Sequence, residues 1–275
     1  MAAAGFKQIL SHRGAKWIFI GWTGFIAENL ILSENRESLV ASFGEDSYRK
    51  VYGTLSTVAC GSIAYGYLAH GHLKGPVVKS AMGSVAGRAL VVGVQVLGLV
   101  GLSQSLPKFQ VPVWIAPSST STVSNSPAST VATASSAPSL KLFCPIDFAH
   151  ARSNNPNELG LKRVTRHPQL FSLAFVALGT ALATPFLTTR LLCGFPIVFA
   201  FIGGAHQDIR FLRSGAYSEE YYESTSLVPF WALVTGKQEW SVLAAELKTV
   251  NATIGVLGAL WLARRRGFSV AAVTK

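Results

Sequence analysis

Basic and titratable side chains cluster just before an apolar stretch of the chain. The segment GLKRVTRHPQ, residues 160–169, runs directly into LFSLAFVALGTALATPFL. Its cationic and titratable members are Lys162, Arg163, Arg166 and His167. Proline fits the first turn of a helix, where its missing N–H costs nothing. Pro168 therefore predicts a helix that begins here, with these groups at its N-terminal end. The cluster is either a charged flank that anchors a membrane span or part of a polar site at the membrane interface.

The composition indicates which kind of element positions this cluster. Of the 275 residues, 49% are hydrophobic and only 13% are charged. The mean hydropathy is +0.37. These values are typical of a polytopic membrane protein rather than of a soluble domain. We therefore predict an all-α fold, a polytopic transmembrane helix bundle of about six spans.

Six apolar stretches are candidate spans, since about 20 residues cross a bilayer core. They cover residues 15–32, 51–69, 81–104, 168–187, 191–205 and 240–263. The fifth is short, so five or seven spans are the alternatives. Small residues recur at four-residue spacing, as at Ala89 and Gly93 or Gly255 and Ala259, which predicts close helix packing.

Six spans sort the charges onto two faces of the membrane. The N-terminus, the loop 71–80, the turn at Arg190 and the tail after residue 263 share one face, and these segments contain no Asp or Glu. We refer to this side as the acid-free face. The positive-inside rule assigns it to the matrix, the stroma or a cytosol-like compartment.

The opposite face gathers the residues that could form a site. Asp208 lies at the exit of the fifth span and is expected to bridge to Arg166. The candidates are Arg36, Arg49, Arg163, Arg166, His167, Pro168, Gln169, Asp208 and Arg210. Their charged members either converge on one interfacial pocket or form a solvated, salt-bridged rim.

Four ionisable residues fall inside predicted spans, where each is expected to have a partner. They are Glu28, Arg88, Glu246 and Lys248. Glu246 and Lys248 are two positions apart and do not face each other on a helix, so they need partners elsewhere. Interhelical pairing and snorkelling are one interpretation, and a proton path is the other.

A Ser/Thr/Pro-rich tract divides the chain. Residues 117–140 have low complexity and cannot bury a core, so they are predicted to link a three-span half, 1–116, to a second three-span half, 141–275, with the Arg-His-Pro motif. No nucleic-acid motif is present. The net charge of +11 lies at membrane borders and favours anionic lipids and other membrane subunits as partners rather than nucleic acid.

Three blocks of sequence carry a family resemblance. They are ENRESLVASFGEDSYRKVY at 34–52, GLKRVTRHPQ at 160–169, and a stretch that runs from Asp208 and Arg210 through TSLVPF to Gln238. In this order they resemble the NnrU-like family of membrane proteins, which is related to the plastid 15-cis-zeta-carotene isomerase. The chain is identified as a divergent member of that family.

The resemblance implies haem b chemistry, which the ligand positions do not support. The two positions where the isomerase has haem-ligating histidines align with Asn29 and Thr180, and neither is a usual axial ligand. A further histidine of the isomerase aligns with His70. His70 and His167 are therefore weak haem candidates. No cofactor and no metal site are expected, and haem b enters only if the chain is an isomerase.

Two functions follow from the resemblance. The first is a non-catalytic NnrU-like subunit, with structural and lipid contacts, of a large organellar energy-converting complex. The second is a haem-dependent isomerase. The basic N-terminus is interpreted either as a flank of the first span that stays in the mature protein or as a residual organellar presequence. The expected location is the mitochondrial inner membrane, with a plastid membrane as the alternative and a bacterial membrane third.

A third function, a methyltransferase-like enzyme, rests on one shared element. Isoprenylcysteine methyltransferases also carry an Arg-His-Pro element before a span, and this chain matches it at Arg166, His167 and Pro168. These enzymes also have a pair of acidic residues downstream, and the residues that correspond best in this chain are Glu219 and Glu220.

Overall fold

The computed structural model describes residues 2–106 and 159–273 and, between them, four short strands. The α-helices are α1 (Ala2–Ser11), α2 (Arg13–Glu34), α3 (Arg36–Phe43), α4 (Glu45–His70), α5 (Val85–Gln104), α6 (Pro168–Ala183), α7 (Leu187–Arg213), α8 (Glu219–Ser224), α9 (Trp231–Val234), α10 (Trp240–Glu246) and α11 (Thr249–Val273). Single 3₁₀ turns lie at Ala81–Gly83 and Gly160–Arg163. The strands are β1 (Lys108–Phe109), β2 (Val113–Ile115), β3 (Leu140–Leu142) and β4 (Ile146–Asp147).

Six long helices pack side by side in one row. The order across the row is α4, α2, α7, α6, α5 and α11. The helices alternate in direction along the chain, and a cluster around Phe171, Ala174 and Ala200 forms the buried contact between α6 and α7. The predicted all-α fold is confirmed, and each predicted span is mostly helical.

Two of these helices are long and apolar enough to cross a membrane. They are α5, with 20 residues, and α7, with 27. The bent pair α10 and α11 would be a third span if counted as one unit, while α6 has only 16 residues. Helix α4 carries Ser and Thr along its length, which lowers its hydropathy. The full count of six spans stays a prediction.

The predicted span at 240–263 is interrupted by a sharp bend. Helices α10 and α11 meet at 91°. Leu247 is extended, with φ −70° and ψ 131°. The end of α5 stabilises this bend between α10 and α11. The Lys248 N–H donates to Gln104 Oε1 at 2.7 Å, and the Lys248 Nζ donates to the Gln104 carbonyl at 3.0 Å.

The boundary between the fourth and fifth predicted spans also shifts. Helix α6 ends at Ala183 instead of residue 187, and α7 begins at Leu187 and continues to Arg213. The span predicted as marginal is therefore the longest helix in the row. Its first turn is fixed by Thr188, whose hydroxyl bonds to the carbonyls of Gly71 and Lys74 at 2.6 and 2.8 Å.

Glycines allow α5 to lie against both of its neighbours. A Cβ added at Gly98 would be 2.6 Å from the Val176 backbone nitrogen on α6. A Cβ at Gly255 of α11 would be 2.8 Å from the Val100 Cα. The predicted close contact at Gly255 is thus present. By contrast, no described residue comes within 4 Å of a Cβ added at Gly93, so it does not mark a helix contact in the part of the chain that the structure describes.

Strands on either side of the central tract pair with each other. β1 pairs antiparallel with β4, and β2 with β3. The sequence pattern gave no strand signal here. The predicted linker at 117–140, apart from the first residue of β3, lies outside the described residues, so the division into two halves around it stays a prediction.

Candidate functional site

The Arg-His-Pro motif, residues 166–168, forms a buried corner that we call the RHP corner. Pro168 occupies the first position of α6, as the sequence predicts, and His167 before it has φ −118° and ψ 62°. Residues preceding proline are kept out of the α-region, so the chain turns sharply at this point. The turn sends both polar side chains toward α7.

A second segment, residues 222–230, closes over the RHP corner, and we call it the clasp. The Arg166 N–H donates to the Ser226 carbonyl at 2.8 Å, and the Phe230 N–H donates to the Val164 carbonyl at 2.8 Å. The Thr165 hydroxyl donates to the Leu227 carbonyl at 2.7 Å. Phe230 has φ 66°, a left-handed conformation that is unusual for an aromatic residue. The clasp holds this backbone in place.

Asp208 on α7 is the centre of the polar contacts. The Arg166 Nε donates to Asp208 Oδ2 at 2.8 Å, and Nη2 lies 2.7 Å from the same oxygen. The His167 Nε2 is 2.8 Å from Oδ1. These side chains are only 4–7% exposed. The pairing of Arg166 with Asp208 expected from the sequence is present.

The remaining guanidinium nitrogen of Arg166 binds the clasp. Nη1 donates to the Tyr222 and Thr225 carbonyls at 3.0 and 3.1 Å. The guanidinium carbon also lies 4.1 Å from the centre of the Tyr222 ring, a cation–π contact. Every nitrogen of this guanidinium therefore has a partner inside the protein, and the buried charge is fully compensated.

A cavity of about 600 Å³ lies beside the RHP corner. His167, Gln169, Gln207 and Tyr217 are among its lining residues. Burial raises the pKa of Tyr217, and it raises the pKa of the neighbouring Tyr221 to about 12, so both phenols are neutral at physiological pH. Histidine is the side-chain type in this lining that most often serves as a general acid or base in enzymes. The arrangement can orient an imidazole toward a cavity.

On the other side of Pro168 the corner borders an apolar cavity of about 310 Å³. Phe171, Phe230 and Trp240 contribute to its lining. The corner therefore separates an apolar space between α5, α6 and α10 from a more polar space between α6 and α7.

Arg163 belongs to a separate cluster next to the corner. Its Nε and Nη2 donate to Glu246 on α10 at 2.9 and 2.6 Å, and the Gly160 N–H donates to the same carboxylate at 2.7 Å. The hydrogen bonds to Glu246 raise the pKa of Arg163 above its usual value. Gln238 also accepts from Arg163. This cluster fixes α10 at the start of α6.

The charged candidates are not all gathered in one pocket. Arg36 and Arg49 both pair with Glu45, at 2.8 and 3.0 Å, and Arg210 donates to Ser33 at 2.6 Å. The physical reason is the row of helices, which places α3 and the start of α4 beyond α2. Only Arg166, His167 and Asp208 share a buried network, with Gln169 in the lining of the adjacent cavity.

The charges predicted inside spans have the following partners. Glu28 accepts from Ser56 on α4 at 2.8 Å, so α2 and α4 share a polar contact. Glu246 and Lys248 bind different elements, as their spacing requires. Arg88 is exposed in the second turn of α5. These contacts are interhelical pairs or contacts at helix ends.

The positions aligned with haem ligands are occupied by internally bonded side chains. Asn29 donates to the Phe25 carbonyl at 2.8 Å and accepts from the Tyr52 hydroxyl. Thr180 donates to the Val176 carbonyl at 3.0 Å. Among the described residues, no three His, Cys, Asp or Glu form a group with metal-site geometry.

His70 and His167 lie near opposite ends of the helices, one on each face of the bundle. His70 ends α4 beside Gly71, which bonds to Thr188, whereas His167 bonds to Asp208. Thr188 and Asp208 are 20 positions apart on α7, or about 30 Å at 1.5 Å per residue. Both axial ligands bind one iron, so these two histidines do not fit a shared haem.

The role of the clasp was not predicted from the sequence. Residues 225–230, TSLVPF, entered only as part of a resemblance. The signal that could have identified the clasp is its composition, because Thr, Ser and Pro interrupt an otherwise helical region between two charged motifs.

Comparison with known proteins gives one match. The family model described as NnrU protein matches residues 18–264, which is most of the chain. No curated protein and no solved structure matches this chain.

Proposed function

Because the chain belongs to the NnrU protein family, we propose that it is a non-catalytic integral membrane subunit of a large organellar energy-converting complex. The observation that carries this proposal is the RHP corner, where Asp208 and the clasp satisfy every nitrogen of Arg166. A site built for catalysis keeps polar groups available for a substrate. This corner uses its polar groups to join α6, α7 and the clasp.

The outer surface of the row supports a subunit role. The outer surface of these helices carries large apolar side chains that are more than half exposed. Examples are Val58 and Leu68 on α4, Leu90 on α5, and Leu257 and Trp261 on α11. Such faces are stable only against lipid or other membrane subunits.

The location belongs to the same proposal. We place the chain in the mitochondrial inner membrane, with a plastid membrane as the second choice. The acid-free face then lies in the matrix or stroma, as the positive-inside rule requires. Anionic lipids and neighbouring subunits are the partners that the basic surface favours.

The first test is the size of the particle that contains the chain. Solubilised organellar membranes are separated by blue-native electrophoresis, and the tagged chain is detected in the second dimension. We expect it to comigrate with a respiratory or photosynthetic complex, because its faces need partner surfaces. A chain found only as a free small species contradicts the subunit proposal.

The second candidate function is a haem-dependent isomerase. Family membership favours it, as does the cavity beside His167 with its imidazole held by Asp208. The residues present do not fit the haem, because Asn29 and Thr180 are not ligands and His70 is distant from His167. No catalytic step is therefore assigned to this chain.

A haem titration separates the two candidates. The purified protein is expected to show no stoichiometric Soret absorbance after incubation with haemin. The double variant Asn29→His with Thr180→His restores a histidine at both aligned positions, and it is expected to gain Soret absorbance if the haem pocket persists. The single variant Asn29→His is the control. A clean bis-histidine spectrum at one haem per wild-type chain would overturn the non-catalytic proposal and point to His70, His167 or His206.

A further inference from the structure

A second charged cavity lies on the acid-free face, away from the RHP corner. It has a volume of about 910 Å³ and is lined by the segment before α5, the end of α6 and the start of α7. Its polar lining includes Lys79, Ser80, Ser84 and Arg190. Its apolar lining includes Leu178, Leu182 and Pro185. The cavity thus has a cationic part and an apolar part.

The chain is folded so that Arg190 is held at this cavity. The Val78 N–H donates to the Pro185 carbonyl at 2.7 Å, and the Leu187 N–H donates to the Pro76 carbonyl at 3.0 Å. The Arg190 Nη2 donates to the carbonyls of Lys79 and Thr184 at 2.8 and 3.1 Å. These contacts fix the guanidinium between the two segments.

The charge of Arg190 is not compensated by the described protein. Its contacts are to neutral carbonyls, and its Nε is buried without a hydrogen-bond acceptor. The surrounding segments, residues 70–88 and 178–194, contain no Asp or Glu. Arg166, near the opposite ends of the helices, has a carboxylate at 2.7 Å, which shows how this fold treats a buried guanidinium when a counter-charge is available.

An uncompensated, partly buried cation calls for an anion from outside the chain, because removing it from water is costly. Lys79 supplies a second positive charge. Ser84 accepts from the Gly87 N–H at 3.0 Å, and its own hydroxyl hydrogen remains a donor for a ligand. Two cations and a hydroxyl match the oxygens of a phosphate group.

The apolar part of the cavity identifies the source of the phosphate. Leu178 and Leu182 lie one turn apart on α6, an apolar helix. We propose that the cavity binds an anionic phospholipid, with its phosphate at Arg190 and Lys79 and an acyl chain along Leu178 and Leu182. The site holds whether or not the chain is a subunit of a complex, so its failure leaves the proposed function standing.

The test uses the full-length protein purified in mild detergent. Binding of dioleoyl phosphatidylglycerol is measured by native mass spectrometry and by the lipid-induced rise in Tm. Dioleoyl phosphatidylcholine and inorganic phosphate are the comparison probes. We expect phosphatidylglycerol to bind more tightly than either, and Lys79→Gln and Arg190→Gln each to weaken it by roughly tenfold, as for loss of a charge-assisted contact.

Arg88→Gln is the matched control, since Arg88 is exposed on the same face but is not among the residues lining the cavity. It is expected to leave the affinity within about twofold of wild type. Arg190→Gln could also disturb folding through its backbone contacts, so Lys79→Gln, at an exposed residue, decides the outcome in that case. Equal losses for Arg88→Gln and Lys79→Gln, or equal binding of the two lipids, would overturn the site. Full competition by inorganic phosphate would overturn the lipid assignment.

Discussion

Asp208→Asn is expected to lower the free energy of unfolding by roughly 3–5 kcal/mol, the cost of leaving one member of a buried ion pair without its partner. The Arg166 guanidinium is 6% exposed and would lose the carboxylate that neutralises it. Thermal unfolding in detergent and the steady-state amount in membranes both measure the loss. The matched control is Glu45→Gln, which breaks an exposed pair with Arg36 and Arg49 and should change little.

A double variant separates the buried charge from other effects of the substitution. Asp208→Asn combined with Arg166→Gln removes both charges, so it should be more stable than the sum of the single variants predicts. His167→Ala keeps the Arg166–Asp208 pair and should be milder than Asp208→Asn. Simple additivity would contradict the proposed pairing energy. Loss of an activity in His167→Ala at normal abundance would instead make the RHP corner catalytic.

Gly98→Ala is expected to destabilise the contact between α5 and α6 by roughly 1–3 kcal/mol, as for other overpacked positions. Its Cβ would be 2.6 Å from the Val176 nitrogen and 2.8 Å from the Ser172 carbonyl oxygen. Both are backbone atoms, so no side-chain rotation relieves the clash and the helices must separate. Thermal unfolding measures the loss.

Gly93→Ala is the control for Gly98→Ala on the same helix. Nothing lies within 4 Å of an added Cβ at Gly93. Alanine is the better helix former by up to about 1 kcal/mol, so this variant should be neutral or slightly more stable. If both variants had the same Tm, the close contact of α5 with α6 would be wrong. A selective loss in Gly93→Ala in the native membrane would indicate a partner subunit on that face.

The sequence predicted the features that depend on local chemistry. The position of Pro168 gave the start of α6 to the residue, because proline is tolerated at the first turn and excluded from the interior. The pairing of Arg166 with Asp208 was predictable because both lie at helix ends on the same side of the membrane. These inferences needed only the direction of each helix.

The sequence did not predict features that depend on which helices are neighbours. Arg36 and Arg49 were placed with the RHP corner because hydropathy assigns a side of the membrane but gives no position within it. The 91° break at Leu247 was not predicted for a related reason, since a continuous apolar run does not show where a helix bends. The charges at Glu246 and Lys248 inside that run were the available sign, and each binds a different element.

The clasp also determines when the RHP corner can form during synthesis. The partners of the Arg166 guanidinium lie between 42 and 59 positions after it in the chain. Helix α6 therefore leaves the ribosome with an arginine at its start whose partners have not yet been made. A nascent chain that stops before Thr225 keeps that arginine only partly bonded, so the corner cannot be complete until the clasp has been made.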